Sequence, residues 1–287
     1  MSYVIFTDSA CDIPAEKLAD WGVSYCELRV MFDGEDRDYA NSELNLTAFY
    51  KRMRDGGVAR TSAANTETFK ALFEPTLKAG RDVVYIGFSS GLSTTYQCSM
   101  MAADELREAY PERKLVTIDS LCASSGQGLL VYLAVRKKRE GASMEELEAY
   151  LGEIRGKICH WFTVDDLVYL KRGGRVSAAS AAVGTLLNIK PVLHVDDEGH
   201  LIAVSKVQGR KKSLRAIAEE YGRLALSKTE GPVFISHGDC LKDAKQLEKM
   251  LADSCGAHVD EFFDIGPVIG AHSGPGTLAL FFLGEHR

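Results

Sequence analysis

Short apolar runs alternate with longer segments of helical period through the first half of the chain. "YVIFTDSACDIP" at residues 3–14 predicts a buried strand that turns at Thr7-Asp8-Ser9 and enters a helix, with Asp12 as its N-cap and Pro14 in the first turn. "VSYCELRVMF" then predicts one strand, "NLTAFYKRMRDG" and "TETFKALFEPTLKAG" two helices, and "DVVYIGF" a strand. "TYQCSMMAADELREAY" follows as a helix, "KLVTIDS" as a strand, and "SSGQGLLVYLAVRKKREG" and "SMEELEAYLGEIRGKI" as helices. Strands separated by helices of this length predict a parallel sheet covered on both faces.

Near residue 160 the pattern changes. "CHWFTVD" predicts a strand, "LVYLKRGGR" a short helix ending in a glycine turn, and "SAASAAVGTLLNI" a helix of very small side chains. "KPVLHVDDEGHLIAVSKVQG" predicts two strands about an Asp-Asp-Glu-Gly turn, which makes them an antiparallel hairpin. A helix over 212–227, the strand "PVFISHG", the helix "LKDAKQLEKMLADSC", the strand "HVDEFFDIG" and the apolar "LALFFLG" complete the chain. The expected architecture is α/β with two domains. Residues 1–160 form a parallel sheet flanked by helices, and residues 161–287 an α+β domain with a mixed or antiparallel sheet.

Composition narrows the classes of function. The chain of 287 residues is 46% hydrophobic and 26% charged with a net charge of -6, as ordinary globular proteins are, and it is too acidic for nucleic-acid binding unless its cations cluster. No apolar run reaches the length of a membrane span and the N-terminus has no basic lead-in to a signal core, so a cytoplasmic location is expected. The 7 cysteines are odd in number and contain no C-x-x-C pair, which predicts free thiols and neither a disulfide framework nor a metal site.

Three hydroxyl- or glycine-rich clusters carry the candidate chemistry. Gly87-Phe88-Ser89-Ser90-Gly91 fits the G-x-S-x-G elbow of serine hydrolases, with Asp119 and His272 following in the order such an enzyme needs. Gly91 and Leu92 then intervene before the helix, and Ser93 makes a better N-cap than Ser89 makes a nucleophile. The other reading is an anion site, in which hydroxyls and helix-start amides hold a carboxylate or phosphate. "RTSAAN" at 60–65 offers the same chemistry, because Thr61 and Ser62 precede a helix. "IGPVIGAHSGPG" at 265–276 reads as an irregular glycine-rich loop that places His272 where a ligand can approach closely.

In this order "FTDSACDIP", "RTSAAN", "SSGLSTTYQ", "LKRGGRVS", "NIKPVLHVDDEGHL", "RKKSL" and "GPVIGAHSGPG" resemble the DegV family of bacterial fatty-acid-binding proteins over nearly the whole chain. The resemblance implies a long-chain fatty acid buried between two domains and no other cofactor. Its carboxylate would be held by Thr61, Ser93 and His272 with Ser62 and Thr94 nearby. It also implies a non-enzymatic carrier that presents the carboxylate to a separate ATP-dependent kinase, which makes an acyl phosphate for phospholipid synthesis. The alternatives are an esterase using Ser89 and a carrier of another amphipathic acid with no kinase.

Arg172 and Arg175 in one basic segment, and Arg210 and Lys211 in another, read either as a docking face for that partner or as a solvated surface. For the acyl tail, the run Ala178, Ala179, Ala181, Ala182 and Gly184 leaves room on one helix, and Leu280, Phe281 and Phe282 supply apolar surface. Three positions depart from the family pattern: Ala63-Ala64-Asn65 has no proline, Thr94 stands where glycine is usual, and Gln208 where arginine is common.

Overall fold

The structure is a computed structural model that describes residues 3–176 and 188–287. The first sheet contains β1 (Tyr3–Asp8), β2 (Val23–Cys26), β6 (Asp82–Gly87) and β7 (Leu115–Asp119), all parallel, in the order β2-β1-β6-β7. Successive side chains of β6 alternate faces, as a strand requires. Val83 and Tyr85 join Phe69 and Phe73 of α3 (Thr66–Lys78) and Leu106 of α4 (Thr95–Ala109). Val84 and Ile86 face the opposite way and pack with Leu129 of α5 (Ser125–Arg139) and Leu147 of α6 (Met144–Ile154).

The second sheet is mixed and has six strands in the order β10-β9-β8-β13-β11-β12. They are β8 (Ile158–Thr163), β9 (Ile189–Val195), β10 (Leu201–Gln208), β11 (Phe234–His237), β12 (Glu261–Asp264) and β13 (Leu278–Leu283). Only β11 and β12 pair in parallel. α8 (Arg210–Leu224) and α9 (Leu241–Cys255) cover one face through Leu214, Ile217, Leu247 and Leu251. The other face meets α5, whose buried residues lie on all sides of the helix, so one helix serves as the shared middle layer between two sheets.

A third, three-stranded antiparallel sheet, β4 (Asp38–Ala40), β3 (Arg29–Phe32) and β5 (Ala59–Ser62), was not foreseen. The stretch "VSYCELRVMF", expected as one strand, breaks at Glu27-Leu28, where the Leu28 amide turns to donate to Ser9 Oγ at 2.9 Å. Thr61 and Ser62 therefore lie on β5 and not at a helix start; α3 is capped by Asn65, whose Oδ1 accepts from the Thr68 amide.

Two further expectations are corrected. Asp12 is not an N-cap: it follows a 3-10 turn (Ser9–Cys11) at φ 54°, and α1 (Ala15–Trp21) begins after Pro14. The glycine-rich segment 265–276 is not a loop throughout but contains helix α10 (Pro267–Ser273), started by proline at its first position and ended by Gly274 at φ 82°. α2 (Leu46–Arg54), β3 and β5 of the first domain pack against α10, as does α7 (Val168–Arg172).

Candidate functional site

A cavity of about 430 Å³ opens between the two domains. Leu28, Phe88, Leu92, Leu170, Leu201 and Ile269 give it apolar walls, while Thr61, Ser93, Arg175 and His272 supply polar groups. The volume lies in the range of small-molecule sites, and so does the pairing of apolar lining with a few polar groups.

Three elements bring those groups together. β5 carries Thr61 and the last turn of α10 carries His272, so that Thr61 Oγ1 lies 2.7 Å from His272 Nε2. Glycine at 173 is needed here, because a Cβ would overlap His272 Nδ1. That nitrogen has no hydrogen-bond partner among the described residues. Burial, reinforced by the positive charge of Arg175, pushes the His272 pKa down to about 4, so the ring is neutral at pH 7. With the proton on Nε2, the imidazole donates to Thr61 and leaves the threonine O–H free to donate to an anion.

Ser93 stands two residues before the first residue of α4, and Thr94 occupies the N-cap position expected for Ser93. Ser93 Oγ accepts from the Thr95 amide at 3.2 Å and lies 2.8 Å from Thr95 Oγ1. Ser62 and Thr94 also line the cavity but are exposed. Arg175 is placed in the cavity wall: its Nε donates to the Leu92 carbonyl at 3.1 Å and its Nη1 to the Gly173 carbonyl. No carboxylate pairs with it among the described residues, so its guanidinium faces the cavity with charge to spare, and burial lowers its pKa. A second recess of about 260 Å³ shares Thr61, Arg175 and His272 with the cavity and adds Arg60, Tyr169 and Arg172.

The remaining predicted residues fall elsewhere. Arg210 is largely enclosed, its Nε on Asp243 at 2.8 Å and its Nη2 on the Gly276 carbonyl at 2.7 Å, whereas Arg172 and Lys211 are exposed. Leu280, Phe281 and Phe282 do not line the cavity. β13 is an inner strand with both faces covered, so Phe281 packs on His160 and Phe282 on Tyr221. The small-residue run from Ala178 to Gly184 lies outside the described residues.

Ser89 is not set up as a nucleophile. Its Oγ is fully buried and donates to the Gly199 carbonyl at 2.9 Å, and Asp119 accepts from the Ser90 and Leu121 amides. His272, the third member of the triad in the alternative esterase reading, is engaged with Thr61 instead. All seven cysteines are free thiols, and no cluster of three His, Cys, Asp or Glu side chains suited to a metal ion occurs among the described residues. No helix among the described residues is long and apolar enough to cross a membrane.

Fold and site together define a two-domain α/β protein with a small-molecule cavity at the domain junction. The chain belongs to the DegV family: the family model described as "Uncharacterised protein, DegV family" matches residues 2–285. A DegV domain-containing protein of Clostridium perfringens is 43% identical, covering 99% of this chain and 98% of that one. Among solved structures, a DegV lipid-binding protein from Thermotoga maritima superposes with a TM-score of 0.86 at 29% identity, covering 100% of both chains. A DegV family protein from Thermus thermophilus, described by its fatty-acid binding, gives 0.88 at 30% identity, covering 99% of this chain and 100% of that one. A stearic-acid-binding protein from Eubacterium ventriosum gives 0.88 at 26% identity, covering 98% of each.

Proposed function

We propose that this protein binds a long-chain fatty acid, with the acyl chain in the interdomain cavity and the carboxylate at Thr61, Ser93, His272 and Arg175. The observation that carries the reading is the make-up of the cavity, in which apolar walls adjoin a hydroxyl, an imidazole and a guanidinium lacking a carboxylate partner among the described residues. Solved relatives described as fatty-acid or lipid binders support it. Each buried methylene contributes about 0.8 kcal/mol and each hydrogen bond to a charged group about 1.5–3 kcal/mol, so the tail supplies affinity and the head supplies orientation. Ser62 and Thr94 are assigned to the rim of the head-group site.

The finer reading is that the bound carboxylate is presented to a separate ATP-dependent kinase in the cytoplasm. The recess beside Thr61 and His272 supports this, since a phosphoryl donor entering there meets Arg172 next to the shared Arg175, while Arg60 at its edge is paired with Asp33. A carboxylate oxygen attacks the terminal phosphorus, the bond to the nucleoside diphosphate breaks, and the diphosphate leaves with the electron pair. The carrier's share of this reaction is positioning. Exposed Arg172 and Lys211 are the cations assigned to docking.

Solvent extraction of the purified protein followed by mass spectrometry tests the first statement. About one long-chain fatty acid per chain is expected; lipid-free protein that takes up none on incubation would refute it. The kinase statement requires that ATP turnover by a candidate kinase depend on the loaded protein. Loaded protein that leaves turnover unchanged with each candidate leaves a carrier of amphipathic acids without a kinase.

A further inference from the structure

The helix that delivers His272 cannot cap itself. Gly266 at the N-cap of α10 has no side chain, and Pro267 has no N–H. The first domain supplies the missing acceptors: Asp12 Oδ1 accepts from the Gly266 amide at 3.0 Å, and Asn41 Oδ1 from the Val268 amide at 2.9 Å. Both acceptors are held in turn. Ser124 Oγ donates to Asp12 Oδ2 at 2.5 Å, and Asn41 Nδ2 donates to the Ser9 carbonyl at 3.3 Å, which fixes the way the amide faces. Tyr50 adds a bond from its hydroxyl to the Ile265 carbonyl at 2.7 Å, one residue before the cap. The contact is flush, since a Cβ on Gly266 would lie 2.8 Å from both Asn41 Nδ2 and Asp12 Oδ1.

The first domain thus grips α10 at both ends: at its start through Asp12 and Asn41, and in its last turn through Thr61. A helix of 7 residues is about 10 Å long at 1.5 Å per residue, and no hinge separates its start from His272. A rotation or slide at the cap therefore reaches the imidazole undiminished.

We propose that Asn41 and Asp12 are positioning residues: by capping α10 from the opposite domain they fix the helix register that aims His272 at Thr61, and so set the preference of the cavity for an ionised carboxylate over a neutral head group. Neither side chain is assigned a contact with the carboxylate, and the inference rests on the fatty-acid reading given above.

The test compares delipidated full-length protein binding hexadecanoic acid and hexadecan-1-ol, which share a chain and differ at the head. Asn41→Leu is expected to lower affinity for the acid about tenfold, the scale of a lost cap, and to leave the alcohol unchanged. The His272 ring resonances should move in the same variant. Asn41→Asp keeps an acceptor for the Val268 amide but loses the donor to the Ser9 carbonyl, so it should keep more of the acid preference than Asn41→Leu. Should Asn41→Leu fail to fold, Asn41→Ala carries the same comparison. An unchanged acid-to-alcohol ratio, or an equal loss for both ligands, would overturn the inference while wild-type binding of the acid left the function standing. Wild-type protein that bound no acid would overturn both.

Discussion

Thr61 Oγ1 and His272 Nε2 lie 2.7 Å apart although 211 residues of sequence separate them. An imidazole far along the chain thus donates to a hydroxyl near its start, and the hydroxyl is left to donate to an anion in the cavity. Thr61→Val keeps the shape of the side chain and removes the donor. Loss of one hydrogen bond to a charged group costs about 1.5–3 kcal/mol, so calorimetry should show a fall of about 10- to 150-fold in affinity for the acid, with the melting temperature little changed.

The neutrality of His272 has a pH signature. Its folded pKa of about 4 lies below the ordinary histidine value of 6.5, through burial and then the charge of Arg175. Between about pH 6.5 and 4 the unfolded chain takes up a proton that the folded chain refuses, so this group's contribution to stability declines as pH falls through that window. A bound carboxylate opposes the Arg175 charge and raises the histidine pKa, which ties ligand binding to proton uptake in the same range. NMR titration of the ring protons should give a midpoint near 4 in delipidated protein and a higher one when loaded. Arg175→Met should raise the midpoint without ligand; a midpoint unmoved by both changes would refute this electrostatic account.

Much of this arrangement was legible in the sequence, and its gaps have physical causes. Long periodic segments and alternating apolar runs identified the parallel sheet, the hairpin and the helices, because burial on a sheet face imposes those periods on the residues themselves. His272, Thr61 and Ser93 were marked as a set only through the family resemblance, since nothing local says that β5 and α10 meet. The segment 265–276 reads as a loop because prolines and glycines are turn residues, yet Pro267 at a first helical position and Gly274 at the exit are also the marks of helix ends. By sequence alone Arg175 reads as a surface cation. Only the fold reveals that its guanidinium is pinned by the Leu92 and Gly173 carbonyls and turned into the cavity.

Ser89 fits a hydrolase pattern and serves as a clasp between domains. Its hydroxyl donates to Gly199 in the β9–β10 turn, and Gly199 holds φ 81° with no room for a Cβ, which would overlap Ser89 Oγ. A fluorophosphonate probe should leave Ser89 unlabelled. Gly199→Ala should destabilise the protein by about 1–3 kcal/mol through the left-handed backbone and the lost clasp, read as a fall in denaturant midpoint at constant slope. Labelling of Ser89, or a Gly199→Ala variant as stable as wild type, would contradict the clasp.

Asp12 predicts a second and opposite pH dependence. Burial, opposed by its bonds to Ser124 and the Gly266 amide and reinforced by Asp264 and Asp8, pushes its carboxyl up to about 8. A carboxyl whose folded pKa lies above the ordinary aspartate value of 3.8 contributes stability that is complete below about pH 4 and is lost as pH rises to about 8. Asn at this position has no charge to bury, and its side-chain oxygen still accepts from the Gly266 amide. Asp12→Asn should therefore flatten the decline in melting temperature between about pH 4 and 8, with the variant gaining on wild type by at most about 1.4 kcal/mol per pH unit across the window. The cap on α10 survives in this variant, so its preference for acid over alcohol should match wild type. Melting curves that run parallel for the two proteins across the range would show that the Asp12 carboxyl titrates normally in the fold.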